Sequence, residues 1–293
     1  MGRRSVFKEA ALRAVLSNQT QFICFGKSCN INAHLTPQQI KNPQASLDEI
    51  EKEKQKTKII KQADPVKPSA QPIPLKNTGW NGDRDPCFVI ANGESRRNFD
   101  LSLLKHRGYI IGMNVLPIVE DFWPDALISV DIATVKYICE RNVPDKLEMW
   151  SYPRGGIKDS RVVRIDKDWG WSSGPTATRI ALEKKGFKTI YILGMDFFGL
   201  TKTGEINEKA GVKINNMYKG TDRYRKSNAD RTYFGNWLNQ MVQNVTNNPQ
   251  AKFYHVVLPN QTSPSRLLEK SNWIDITYDQ FGEHLKKIAK KEP

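Results

Sequence analysis

Five short runs of apolar, β-type residues punctuate the chain after Trp80, and each is followed within three residues by a glycine or a short polar side chain. They are Cys87-Phe-Val-Ile-Ala, Tyr109-Ile-Ile-Gly-Met, Ala126-Leu-Ile-Ser-Val, Lys188-Thr-Ile-Tyr-Ile-Leu-Gly and Phe253-Tyr-His-Val-Val. A strand that is apolar on both faces has no wet side, so it belongs in a sheet covered above and below. The intervening stretches carry helix signals: Leu101 to Lys105, and Thr176-Ala-Thr-Arg-Ile-Ala-Leu-Glu-Lys-Lys closed by Gly186. Strands alternating with helices predict an α/β fold, an open and mainly parallel sheet with helices on both faces, over residues 81–293.

The first 80 residues read differently. Residues 5–17 place Phe7, Ala11, Leu12, Val15 and Leu16 at helical spacing, and Thr36-Pro37 reads as a cap followed by proline at the first helical position. Residues 46–62 are a charged run without an apolar stripe, and prolines at 65, 68, 72 and 74 make 64–74 an extended linker. This predicts an extended N-terminal arm and Pro-rich linker over 1–80, too small to build its own core. The arm is a candidate for docking onto a protein partner or a second copy of the chain.

The formal charge is +14, and the arm holds 13 Lys and Arg against 6 Asp and Glu, half of the excess in about a quarter of the length. Such a field attracts phosphates, nucleic acid and acidic partners without choosing among them. No zinc-finger spacing or aromatic-basic RNA signature accompanies it, so specific nucleic-acid recognition has little support. Four cysteines are too few for a disulfide scaffold, and Cys24-x4-Cys29 has no second ligand pair, so no metal site is expected. The chain has no apolar run long enough to span a bilayer and no secretory signal at Met1, which predicts a cytoplasmic protein.

In open α/β sheets ligands sit beyond the C-terminal strand ends, where the strand order reverses. The candidates there are Asn92, Gly93 and Ser95 after the first strand, Asn114 after the second, Asp131 after the third and Asp196 after the Ile190 to Gly194 strand. Ser172, Ser173, Gly174 and Thr176 open a helix, whose free N–H groups favour an anion. Asp83-Arg84-Asp85 has the spacing of a metal-binding pair but precedes the first strand, at the wrong end for catalysis.

Val89-Ile-Ala-Asn-Gly-Glu-Ser-Arg-Arg-Asn-Phe-Asp-Leu, Ile111-Gly-Met-Asn114, Ser172-Ser-Gly before a helix, Ile190-Tyr-Ile-Leu-Gly-Met-Asp-Phe-Phe and Phe253-Tyr-His-Val-Val-Leu-Pro-Asn260 occur in that order. The ordered set, over roughly residues 86–268, resembles the bacterial CMP-sialic-acid-dependent sialyltransferases and similar uncharacterised phage proteins, whose fold is Rossmann-like. The resemblance implies a cytidine nucleotide or nucleotide-sugar substrate. Asn92, Gly93 and Ser95 would lie at its phosphate and ribose, Asn114 would hydrogen-bond it, Ser173 and Gly174 would contact base or sugar, and Asn260 would close the base pocket.

The catalytic half departs from that family. Its histidine base and its phosphate-stabilising tyrosines are missing: Phe198 ends the Gly194-Met-Asp-Phe-Phe segment, and residues 215–237 contain no histidine. Inverting transfer without a metal needs a base and cationic groups on the departing phosphate. Asp196, Asp222 or Asp230 are the candidate bases, and Tyr218, Arg223, Tyr224, Arg225 and Arg231 the candidate phosphate ligands. Residues 215–237 also read as a basic surface loop in which Tyr233 and Trp237 anchor the next helix. The alternative function is a structural or assembly protein of a phage virion that keeps the fold without the chemistry and docks through its arm; a viral origin would place it in the host cytoplasm or in the particle. Of the other histidines, His106 reads as a surface group, His255 as a satisfied core residue and His284 as part of a C-terminal amphipathic helix.

Overall fold

The computed structural model describes residues 11–12, 15–16, 21–24, 27–30, 35, 37–48, 79–152, 157, 159–165, 170–207, 213–221 and 235–291. The chain divides into two compact units, Met1–Ser69 and Ala70–Pro293. The first holds an antiparallel pair, β1 (Gln21–Cys24) and β2 (Lys27–Asn30), with Phe22 opposite Cys29. This pairing is an addition to the arm read from the sequence. The helix expected after Thr36 is present as Pro37–Lys41. The proline linker at 64–74 and the charged run beyond residue 48 lie outside the described residues.

The second unit is built on one eight-stranded sheet. Its strands are β3 (Cys87–Ile90), β4 (Tyr109–Met113), β5 (Ala126–Ile128), β6 (Glu148–Ser151), β7 (Val162–Arg164), β8 (Thr189–Leu193), β9 (Lys252–Val257) and β10 (Trp273–Thr277). They lie in the order β10-β9-β8-β3-β4-β5-β6-β7, and every neighbouring pair is parallel. The chain starts at β3 in the middle, runs outward to β7, then returns to β8 on the other flank of β3. The order therefore reverses between β3 and β8.

Period-two alternation sends successive side chains to opposite faces, and both faces are apolar here. Cys87, Val89, Tyr109, Ile111, Ile190 and Ile192 join a core with Ala177 and Ile180 of α3 (Ser173–Arg179) and Met241 and Val245 of α4 (Gly235–Asn247). Phe88, Ile90, Ile110, Tyr191 and Leu193 join a second core with Leu116 of α1 (Leu116–Glu120) and Phe281 and Leu285 of α6 (Tyr278–Lys287). On the outer flank, Ile138 of α2 (Ile132–Cys139) packs with Leu127 and Met149. The remaining short helix, α5 (Ser265–Leu268), buries Leu267.

The expected helix before β8 begins earlier than its sequence signal, at Ser173, and widens into a π-turn over Ile180–Lys184 before Gly186, whose φ of 75° ends it. The Leu101 stretch is a 3-10 turn, capped by the Asp100 side chain on the Ser102 N–H. His255 is buried between the rings of Phe197 and Trp273, with Nδ1 2.8 Å from Ser263 Oγ.

Candidate functional site

The loops that leave β3 and β8 are zipped together across the reversal point. Ala91 N–H donates to Leu193 O and Gly93 N–H to Gly194 O, both at 2.8 Å. The approach is close enough to require glycine at position 93. A Cβ there would come within 2.5 Å of Gly194 O and closer still to the Asp196 carboxylate. Gly194 turns with φ of 67°, a conformation that costs a side-chain-bearing residue energy.

Below this zipper Arg96, almost wholly buried, makes a paired bond to Glu120, Nη1 to Oε2 at 2.9 Å and Nη2 to Oε1 at 2.8 Å. Its Nε donates to Ala91 O, and Tyr218 Oη lies 2.8 Å from Nη2 while bonding Glu120. Met217 N–H donates to Asn92 O and Glu94 N–H to Asn215 Oδ1, each at 2.9 Å. One buried arginine thus ties the β3 loop, the end of α1 and the 215–218 loop into a single floor.

Asn114, after β4, has φ of 55°, a left-handed conformation that asparagine adopts more readily than most residues. Its Oδ1 accepts from Ser129 Oγ at 3.1 Å and Ser173 Oγ at 3.2 Å. Two hydroxyls on the carbonyl oxygen leave the amide nitrogen as the group Asn114 can offer a ligand. Asp131, after β5, spends its carboxylate on α2: Oδ1 accepts from Ala133 N–H and Oδ2 from Thr134 Oγ1, both at 3.0 Å. The start of α3 is gripped by α4, with Ser172 N–H donating to Gln240 Oε1 at 3.1 Å and Asn244 Nδ2 to Pro175 O at 2.9 Å.

These strand ends and the α3 start enclose a cleft of about 390 Å³. Of the residues expected from the sequence, Asn92, Gly93, Asn114, Asp131, Ser172, Ser173, Gly174 and Asp196 line it. Asn92 Oδ1 is buried and has no hydrogen-bond partner, an acceptor that a bound donor would satisfy. Asp196 is 9% exposed, and burial raises its proton affinity against opposing hydrogen bonds from Ser95 and Asn215 and the charge of His255.

Other expected residues stand elsewhere. Ser95 lies behind the wall, its N–H donating to Asp196 Oδ2 at 2.9 Å. Thr176 is fully buried, with its hydroxyl 3.4 Å from Tyr152 Oη. Asn260 is exposed and outside the cleft lining. Tyr218, expected on a phosphate, is fully buried with its hydroxyl committed to Glu120 and Arg96, because a phenol under the floor completes the arginine's pairing. Asp222, Arg223, Tyr224, Arg225, Asp230 and Arg231 lie outside the described residues. Sequence reading missed Asn215 and Asn216 as cleft residues and took Trp237 for a core anchor. Trp237 lines the cleft, while its neighbour Leu238 packs on the core. The polar pair Asn215-Asn216 was the available signal, and only the fold shows that it faces the strand ends.

Fold and cleft define an open α/β protein with a binding site at its topological switch point. Comparison with protein-family models, curated proteins and solved structures finds no match to this chain.

Proposed function

We propose that the cleft binds a nucleotide or nucleotide-sugar, CMP-linked by resemblance, and that the protein is a glycosyltransferase-like enzyme working without a metal. The observation that supports this most is the convergence of Asn92, Asn114 and Ser173, from three distant segments, on one cleft where the sheet order reverses. The unpartnered acceptor on Asn92 and the oriented amide of Asn114 suit a ligand rich in hydroxyl and amino groups. In transfer, the acceptor oxygen bonds the anomeric carbon as the bond from that carbon to the phosphate oxygen breaks, and the acceptor proton passes to a base. Asp196 is the candidate base within the described lining. The arginines at 223, 225 and 231 are the candidates for the departing phosphate.

A thermal-shift series tests the binding step. Ligand at 100 times its Kd stabilises by about 2.7 kcal/mol, which for a domain of this size raises Tm by roughly 5–10 °C. CMP or another nucleotide is expected to produce such a rise, and no shift with any nucleotide at millimolar concentration would contradict the reading. Phe198 and the histidine-free stretch 215–237 favour a second reading, a virion assembly protein without transfer activity. Under it, removing residues 1–80 abolishes assembly and spares nucleotide binding; assembly that survives the deletion removes this alternative.

A further inference from the structure

Among the described residues, six buried side-chain polar atoms have no hydrogen-bond partner, and two of them belong to the surroundings of Asp196: Ser95 Oγ and Tyr278 Oη. A hydroxyl left unpaired in a protein interior is costly, so such groups mark a site that is completed by something else or that changes state. Ser95 stands directly against Asp196, whose Oδ2 accepts the Ser95 N–H at 2.9 Å. Tyr278 reaches the same place from the other end of the chain. It is the first residue of α6, fixed by the Thr277 and Gln280 capping box, and its ring packs 5.5 Å from that of Phe99.

The Ser95 side chain lies beside both groups and favours the ionised form of each, although no hydrogen bond of ordinary length reaches Ser95 Oγ or Tyr278 Oη. Burial pushes the Tyr278 phenol up and the Asp196 charge pushes it further, while Arg96 opposes them. His255 of β9 and Asn215 act on Asp196 from the remaining sides. Asp196 borders the cleft, and Ser95 and Tyr278 do not.

We propose that Asp196, Ser95 and Tyr278 form a hydroxyl relay behind the cleft, in which Ser95 and Tyr278 are positioning residues that set the protonation of the buried carboxyl a bound ligand meets. Each hydroxyl carries one hydrogen, so the chain has two senses. With Asp196 ionised, Tyr278 O–H donates to Ser95 Oγ and Ser95 O–H donates to the carboxylate. When Asp196 takes a proton from a ligand hydroxyl, the new carboxyl O–H donates to Ser95 Oγ, Ser95 O–H turns to Tyr278 Oη, and no charge is left without a partner. The inference deepens the reading of the cleft given above and rests on it.

The test is a carbon-13 NMR titration of the Asp196 carboxyl in the full chain, without nucleotide, with the resonance assigned by Asp196→Asn. Ser95→Ala and Tyr278→Phe are each expected to move the titration midpoint upward, because the ionised form loses a donor directly or at second hand. Tyr278→Phe should melt no lower than the parent protein, since the hydroxyl removed has no partner. A midpoint unchanged in Tyr278→Phe overturns the relay, whether or not Ser95→Ala moves it. Since the titration uses no nucleotide, its failure leaves the thermal-shift result standing, and a failed thermal shift leaves the titration standing.

Discussion

At Gly93 there is no room for a methyl group, and the obstruction is backbone and a buried carboxylate rather than a movable side-chain end. Gly93→Ala is therefore expected to cost about 3 kcal/mol or more, at the upper end of overpacking effects. Gly174→Ala meets only the tip of Met195, at 2.7 Å from Cε, and that flexible thioether can swing away. Urea unfolding of the two variants should separate them clearly, and equal losses would mean that the loop zipper is softer than described. Arg96→Met should cost about 3 kcal/mol in the same measurement, because it leaves Glu120 half-buried without its cation. The sequence marks Gly93 as a turn glycine after a strand. It does not show why glycine is needed there, because the obstruction, Asp196, comes from another strand end.

Among the elements, β3, β4, β5, β8 and β9 are legible because both of their faces are buried and the run is apolar throughout. The three that are not legible lie toward the flanks. β7 is a short edge strand ending in Arg164, β6 opens with Glu148, and β10 alternates Trp273, Ile274, Asp275, Ile276 on an edge. Half-buried strands carry weaker apolar signals than central ones. Asp275 nevertheless secures that edge. Its carboxylate accepts from Ser263 N–H at 2.6 Å, Ser263 Oγ at 2.5 Å and Trp273 Nε1 at 3.1 Å. Burial pushes the Asp275 carboxyl up, but hydrogen bonds from His255 and Ser263 outweigh it and hold it at about 2. A folded value below the unfolded value of about 3.9 means that stability is gained by the ionised form. That gain is complete above about pH 4 and is lost as pH falls through 2. The stability gap between the parent protein and Asp275→Asn should accordingly narrow over that interval in pH-dependent melting, and a constant gap would contradict the assignment.

For the whole molecule, the parallel sheet, the reversal of strand order and the cleft at the C-terminal strand ends follow from one pattern, apolar runs that stop at small polar residues. That pattern locates most of the candidate lining, because a parallel sheet brings its strand ends together whatever lies between them. It does not locate the floor, where Arg96, Glu120 and Tyr218 meet, since their pairing depends on loop paths rather than on periodicity. Nor does it distinguish Asp131, whose carboxylate caps a helix, from Asp196, whose carboxyl is buried at the cleft. The central claim is that ligand binds at the switch point between β3 and β8. Hydrogen exchange of the full chain with and without saturating CMP tests it most directly: amides at 91–93, 113–114, 172–174 and 194–196 should exchange more slowly with nucleotide, while those at the opposite ends of the same strands stay unchanged. Unaltered exchange in those four segments, or protection confined to the opposite edge of the sheet, would contradict it.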